Sequence, residues 1–286
     1  MAAGWGATRA LLGAALAGFC VLSAWNVQAQ VQTAEYWRKY QAMLTDKGLL
    51  RAERDPVDVT YSKEDLVRDF RAIMLTREYA KKAGDFVKNA APRRLKKLDS
   101  VVRIDIRGKT ITDTDMKHIR DFMDRLNRVT GVRMVESEED PMIRLMILTR
   151  EERLAFARHA ARSPRWDFIA KNVANDLGSA VCGTYYSRDR QDRNRIDYII
   201  VIPAEVTGIL RRSCIEEELG QTFGPGADFD GARPSIFNDD AEFALLTRHD
   251  EDLLRILYDP RLEPGMTVEE AMPVVRRIVG EMRPGM

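Results

Sequence analysis

Within the run Cys214-Ile215-Glu216-Glu217-Glu218-Leu219-Gly220-Gln221, Glu217 and Gln221 stand four residues apart. On a helix that spacing puts two side chains one turn apart on the same face, the arrangement by which a helix presents two ligands to one ion. Asp228 offers a further oxygen donor beyond them. Oxygen donors favour a hard cation such as calcium or manganese. They suit zinc poorly, because a zinc hydrolase holds its ion with imidazole or thiolate and uses it to bring the pKa of water from about 15.7 to near 7. The three histidines, His118, His159 and His249, fall on separate helical segments without paired spacing and read as surface or interhelix side chains. Glu217 and Glu218 invite a metal-free two-carboxylate mechanism, yet adjacent helix residues point about 100° apart. The expectation is that no metal or other cofactor is bound, with Glu217 a lone inward carboxylate hydrogen-bonded to its neighbours. Glu217, Gln221 and Asp228 form the alternative set for a hard ion.

These side chains need a helix to hold them. From Glu205 to Phe223, Val206, Ile209, Leu210, Cys214, Glu217 and Gln221 share one side at 100° per residue, and Ile215, Leu219 and Phe223 share another. A helix apolar on two sides is central, and Glu217 is expected to point inward. Before it, Tyr198 to Ile202 is continuously apolar and predicts a central strand. Cys182 to Arg188 and Arg195 to Pro203 flank the polar run Asp189 to Asn194, so the two read as a hairpin with a solvated tip. Cys182 and Cys214 pair most simply as a disulfide in an oxidising compartment; two buried free thiols are the alternative. In the chain-entropy model, closing a loop of about 30 residues stabilises a fold by roughly 3 to 4 kcal/mol.

Upstream, Ser62 and Asp65 have capping-box spacing ahead of Leu66, Phe70, Ile73 and Met74. The basic run Pro92 to Lys97 reads as a solvated connection. Val102 to Arg107 alternates as a half-buried strand. A helix from Asp113 to Val129 follows, with Gly131 at its C-cap, then strands at Val132 to Val135 and Ile143 to Leu148, then a charged helical region from Arg150 to Asn175. Strand, helix and strand in this order describe an α/β or α+β sheet with helices packed on it.

The first 29 residues lack acidic groups, carry Arg9, an apolar run from Ala10 to Ala24 and the site Val27-Gln28-Ala29. That is the pattern of a secretory signal peptide cleaved after Ala29, which places the protein in the periplasm or outside the cell. Phe19 before Cys20 argues against lipidation, and the apolar run is short for an uncleaved anchor. Without Arg9 the 45 basic residues come level with the 44 acidic ones, a balance that gives no electrostatic footprint for nucleic acid. The expected organisation is a signal peptide over 1–29, an N-terminal extension over 30–61 and one domain over 62–286, with no membrane span in the mature chain. The extension opens with a helix from Thr33 to Leu44, whose aromatic stripe, Tyr36, Trp37 and Tyr40, packs on its own domain or meets a membrane or partner.

Glu217, Glu218, Gln221 and Gly224 fall on the four marked positions of H-E-x-x-H-x-x-G, with Leu219-Gly220 between, so the segment resembles a metzincin active-site helix without its histidines. Ala227 stands where the third ligand is due and cannot bind metal. Pro234-Ser235-Ile236-Phe237 is similar to the S-x-M turn under a metzincin site, with Phe237 for Met. Leu246 to Tyr258 is similar to the last matrixin-type helix, and Thr247 with Asp250 gives its start a physical basis. The block from Cys214, with the S-I-F-N-D turn and the tail Tyr258 to Met266, also resembles an uncharacterised family of exported bacterial proteins. The resemblance implies a zincin-like mixed sheet with a central active-site-type helix and a helical C-terminal subdomain. Glu217, Glu218 and Gln221 are then degenerate motif positions and Gly224, Ser235, Ile236 and Phe237 the motif turn. It further implies a non-catalytic domain that holds a peptide or envelope protein segment, the alternative being an envelope metallohydrolase with an oxygen-ligand site.

Overall fold

The computed structural model describes residues 33–282 apart from 83–84, 99–100, 175–176, 178–179 and 189–194. The signal-peptide pattern and the hairpin tip therefore lie outside the described residues. In chain order the elements are α1 (Ala34–Asp46), α2 (Lys63–Met74), β1 (Thr76–Lys82), β2 (Asp85–Pro92), β3 (Val102–Arg107), α3 (Asp113–Thr130), β4 (Met134–Glu136), β5 (Ile143–Leu148), α4 (Arg150–Ala160), α5 (Asp167–Ala174), β6 (Gly183–Arg188), β7 (Ile196–Pro203), α6 (Gly208–Gln221), α7 (Arg248–Leu257) and α8 (Val268–Glu281). The main sheet runs β4-β3-β5-β7-β6, parallel except for β6, which pairs antiparallel with β7 and forms one edge. β1 and β2 make a separate antiparallel hairpin. The fold is mixed α/β, as the strand and helix order implies. Among the described residues no helix is long and apolar enough to cross a membrane.

The sheet has a core on each face because strand side chains alternate. Ile143, Leu145, Ile147, Ile200 and Ile202 join the large core with α2, α3, α6, α7 and α8. Met146, Leu148, Ile199 and Val201 face the other way, onto Ala157 and Ala160 of α4 and Ile169 and Val173 of α5. β7 is buried from Asp197 to Pro203, which is why its sequence is a continuous apolar run. Burying such a side chain contributes roughly 1.5 to 3 kcal/mol. The expected charged helical region is two helices, α4 and α5, broken around Ser163 and Pro164. Capping boxes start α2 at Ser62 and α3 at Thr112, and Gly131 ends α3 in the left-handed conformation with φ 75°.

Helix α6 follows β7 after a short turn and begins at Gly208, three residues later than its apolar pattern implies. Thr207 supplies no side-chain cap. Gln41 of α1 caps instead, its Oε1 accepting from Leu210 N–H at 3.1 Å. Arg211 fixes the same end, donating to Asp115 of α3 at 2.7 Å and to the carbonyls of Val206 and Ala204, each at 2.7 Å. Trp37 and Leu44 of α1 pack with Val206 and Leu210, so the aromatic stripe buries Trp37 on its own chain.

The basic run 92–97 is half-buried, which corrects the expectation of a solvated connection. Leu95 is fully enclosed. Arg93 donates to Met74 O at 3.1 Å and also to Gly224 O. Lys96 lies 4.2 Å from the centre of the Tyr186 ring, and burial, with Arg93 and Arg188 near, pushes its ammonium down to about 8. Pro92 and Arg94 still meet solvent, while the cations on the inner side, Arg93 and Lys96, find carbonyls and a ring face.

Candidate functional site: a carboxylate cluster beside helix α6

Three consecutive glutamates of α6 have different surroundings because each points about 100° from the next. Glu216 is fully buried. Its Oε1 receives Arg54 Nη2 at 2.8 Å, its Oε2 receives the Leu246 N–H at 2.9 Å, and His118 Nε2 and Arg125 Nη1 stand at 3.3 and 3.8 Å. Glu216 thus fills the role of the hydrogen-bonded inward carboxylate that the helix pattern assigned to Glu217. The apolar pattern alone could not separate them; only Arg54, the α3 side chains His118 and Arg125, and the Leu246 N–H do.

Glu218 is buried toward the sheet edge, and Thr184 Oγ1 of β6 donates to its carbonyl at 3.1 Å. Burial raises its carboxyl to about 7, against the lowering effect of the Thr184 hydrogen bond. Glu217 is half-buried. Burial raises its pKa well above the usual carboxylate range, and Glu218, Asp228, Asp239 and Glu78 add to the rise. Gln221 is half-buried one turn beyond it.

The loops that bring the other carboxylates here are tightly specified. Gly224 has φ 146°, and a Cβ there would meet Leu257 Cδ2 at 2.3 Å and Lys96 O at 2.9 Å. Only glycine lets the chain leave α6 at that place. Gly226 N–H then bonds Ile73 O at 2.9 Å and its carbonyl receives Glu78 N–H at 3.0 Å, which lays the start of β1 beside Asp228. Asp239 arrives from the turn at Ser235. Ser235 Oγ donates to Asp250 Oδ1 at 2.5 Å, Ile236 N–H to Asp250 Oδ2 at 3.0 Å and Thr247 Oγ1 to Pro234 O at 2.8 Å. Asp250 also accepts the Thr247 N–H at 2.8 Å as the capping box of α7, so one carboxylate starts the helix and hangs the turn. Phe237 is fully buried against Gly220 of α6, a Cβ at Gly220 lying 3.3 Å from Phe237 Cζ.

One carboxylate oxygen each from Glu78, Asp228 and Asp239 lies within 4.8 Å of the others. Calcium takes oxygen ligands at about 2.3 to 2.6 Å, so two ligands across one ion stand about that far apart. This donor set is all oxygen, which suits a hard cation better than zinc, and buried Ala227 offers no donor. The structure thus gathers Glu217 and Asp228, set out by the sequence, with Glu78 and Asp239, which sequence reasoning missed. Glu78 sits on a hairpin without a clear periodic pattern, and Asp239 gave no spacing signal.

The histidines do not converge. His159 is exposed on α4, and His118 faces Glu216. His249 is fully buried between α7 and α2, Nε2 3.0 Å from Asp69 Oδ2, with the Tyr61 ring edge-on at 4.8 Å. Cys182 and Cys214 form a disulfide, Cα atoms 5.9 Å apart, that ties the start of β6 to α6.

The fold and site define a mixed α/β domain with a carboxylate cluster beside its helix α6. The model of the family described as "Protein of unknown function (DUF2927)" matches residues 63–277, and the chain belongs to that family. No curated protein and no solved structure matches the chain.

Proposed function

We propose that the protein is an exported, zincin-like domain that holds an extended peptide or protein segment in the cell envelope without cutting it. The observation that carries this reading is β6: an antiparallel strand that pairs with β7 alone among the described strands, stitched by Cys182 and Thr184 to the helix that carries Glu217 and Gln221 where the metzincin helix it resembles has its histidines. Zincin clefts take extended chains along an edge strand, and an unpaired edge offers backbone donors and acceptors to a guest. Export rests on the pattern of residues 1–29 and on the bonded cysteine pair. Purified mature protein incubated with a random peptide library should retain peptides and release them intact by mass spectrometry. Stoichiometric zinc with chelator-sensitive cleavage would overturn the reading.

The carboxylate cluster favours a second reading, an oxygen-ligand cation held by Glu78, Asp228 and Asp239 beside Glu217, in place of the set Glu217, Gln221 and Asp228 that the sequence offered. Bound cation would offset the mutual repulsion of these groups. Calcium or manganese at 100 times its dissociation constant would then stabilise the fold by about 2.7 kcal/mol. Thermal denaturation with each ion tests it, magnesium serving as the comparison; an unchanged midpoint at millimolar ion sinks it.

A further inference from the structure

On the α3 side of α6 lies a cavity of about 540 Å³ lined by Arg54, His118, Arg125, Arg128, Glu216, Glu251 and Arg255, with Phe122 and Val129 as its apolar wall. Its size is that of a small-molecule site. The charges do not balance. Asp121 is held by Lys117 at 2.6 Å, and Arg255 bonds Glu251 at 2.6 Å and Asp252 at 2.7 Å. Arg54, Arg125, Arg128 and Arg255 then face Glu216, Glu251 and Asp252, leaving one positive charge over, that of Arg128.

The bonding within the cavity is incomplete on the same side. Arg125 donates through Nε to Glu251 at 2.6 Å, and its buried Nη1 makes no hydrogen bond. His118 Nε2 is also buried without one. Buried donors in native proteins are nearly always satisfied, by protein, water or an ion. Arg128, exposed one turn along α3 from Arg125, has no carboxylate partner among the described residues. A guanidinium fork with free N–H groups matches tetrahedral oxyanions, and an uncompensated guanidinium favours an anion.

We propose that this cavity binds a phosphate group between Arg125 and Arg128, with Phe122 and Val129 receiving whatever apolar group the phosphate carries. The site is separate from the carboxylate cluster and independent of the peptide-holding reading. Inorganic phosphate, phenyl phosphate and vesicles of phosphatidylcholine containing phosphatidic acid are the probes, titrated against the full mature protein by calorimetry or vesicle sedimentation. Saturable binding of the soluble phosphates identifies a free ester as the source. Binding to the acidic vesicles alone identifies a lipid headgroup. Arg128→Ala, which breaks no contact in the fold, should weaken either by about tenfold or more, while Arg128→Lys recovers only part of the loss because it restores charge without the fork. Absence of saturable binding to every probe, equal binding of acetate, or an Arg128→Ala protein that binds as tightly as the parent overturns the proposal.

Discussion

Glu216 and Glu217 are neighbours on one helix and live under opposite electrostatics. Glu216 has no exposed surface, yet Arg54, His118, Arg125 and a backbone N–H surround it. Glu217 keeps some exposure, yet burial and four nearby carboxylates all oppose its charge. The depth of a carboxylate therefore says less about its role than the sign of what faces it. A compensated carboxylate is a structural joint, here between α6, α3 and the segment before α7. One surrounded by its own kind costs stability in the apo protein, unless something else occupies the site.

The largest effect expected from this contrast is at Glu216. Glu216→Ala strips the partner from Arg54, which is partly exposed, and from Arg125, which is nearly buried, and removing one side of a fully buried pair typically costs about 3 to 5 kcal/mol, an upper bound here. Chemical denaturation should show a loss up to that size, with Glu217→Ala changing stability far less. Comparable losses at both positions would erase the distinction.

A second compensated site gives the contrast a pH dependence. Burial pulls the His249 pKa down, but the charge of Asp250, 3.7 Å from Nδ1, and the hydrogen bond and charge of Asp69 outweigh it and lift the imidazole to about 9. A folded pKa above the unfolded 6.5 means the stabilisation is complete below pH 6.5 and is lost as pH rises through 9. The loss should approach about 3 kcal/mol across that window. Denaturation midpoints measured from pH 6 to 10 should fall accordingly, and Asp69→Asn should flatten the curve. A parent profile already flat above pH 7 would show that His249 is neutral throughout.

Much of the scaffold was legible because it is periodic. The apolar run at Tyr198 to Ile202 marked β7, Ser62 with Asp65 and Thr247 with Asp250 marked helix starts, and Gly131 marked an end. The hairpin β1–β2 was not legible, since Thr76 to Pro92 mixes charged and small residues without alternation. The site was half legible. The i, i+4 pair Glu217 and Gln221 is a local pattern, and Asp228 follows closely after it. Glu78 and Asp239 reach the cluster through a bond to Gly226 O and a turn hung on Asp250, contacts between residues far apart in sequence. The exchange of Glu216 for Glu217 as the buried joint has the same origin: Arg54 and Arg125 are remote in sequence, and periodicity carries no information about them.

The smallest effect is also the most discriminating. Glu217→Gln keeps the size of the side chain and removes the charge that burial and the carboxylates of Glu218, Asp228, Asp239 and Glu78 oppose. A carboxyl with a raised folded pKa loses stability as pH climbs from its unfolded value, 4.5, toward that higher pKa. Without added cation, Glu217→Gln should therefore stabilise the protein by roughly 1 kcal/mol at pH 8, the ordinary scale of a single substitution, and have no effect at pH 4. Thermal denaturation at the two pH values measures both. A variant less stable than the parent at pH 8 in the presence of chelator would mean that Glu217 is compensated after all, and the opposition between the two glutamates would fail. Parity at both pH values would mean that solvent already screens Glu217, leaving Glu78, Asp228 and Asp239 as the part of the cluster that any cation must satisfy.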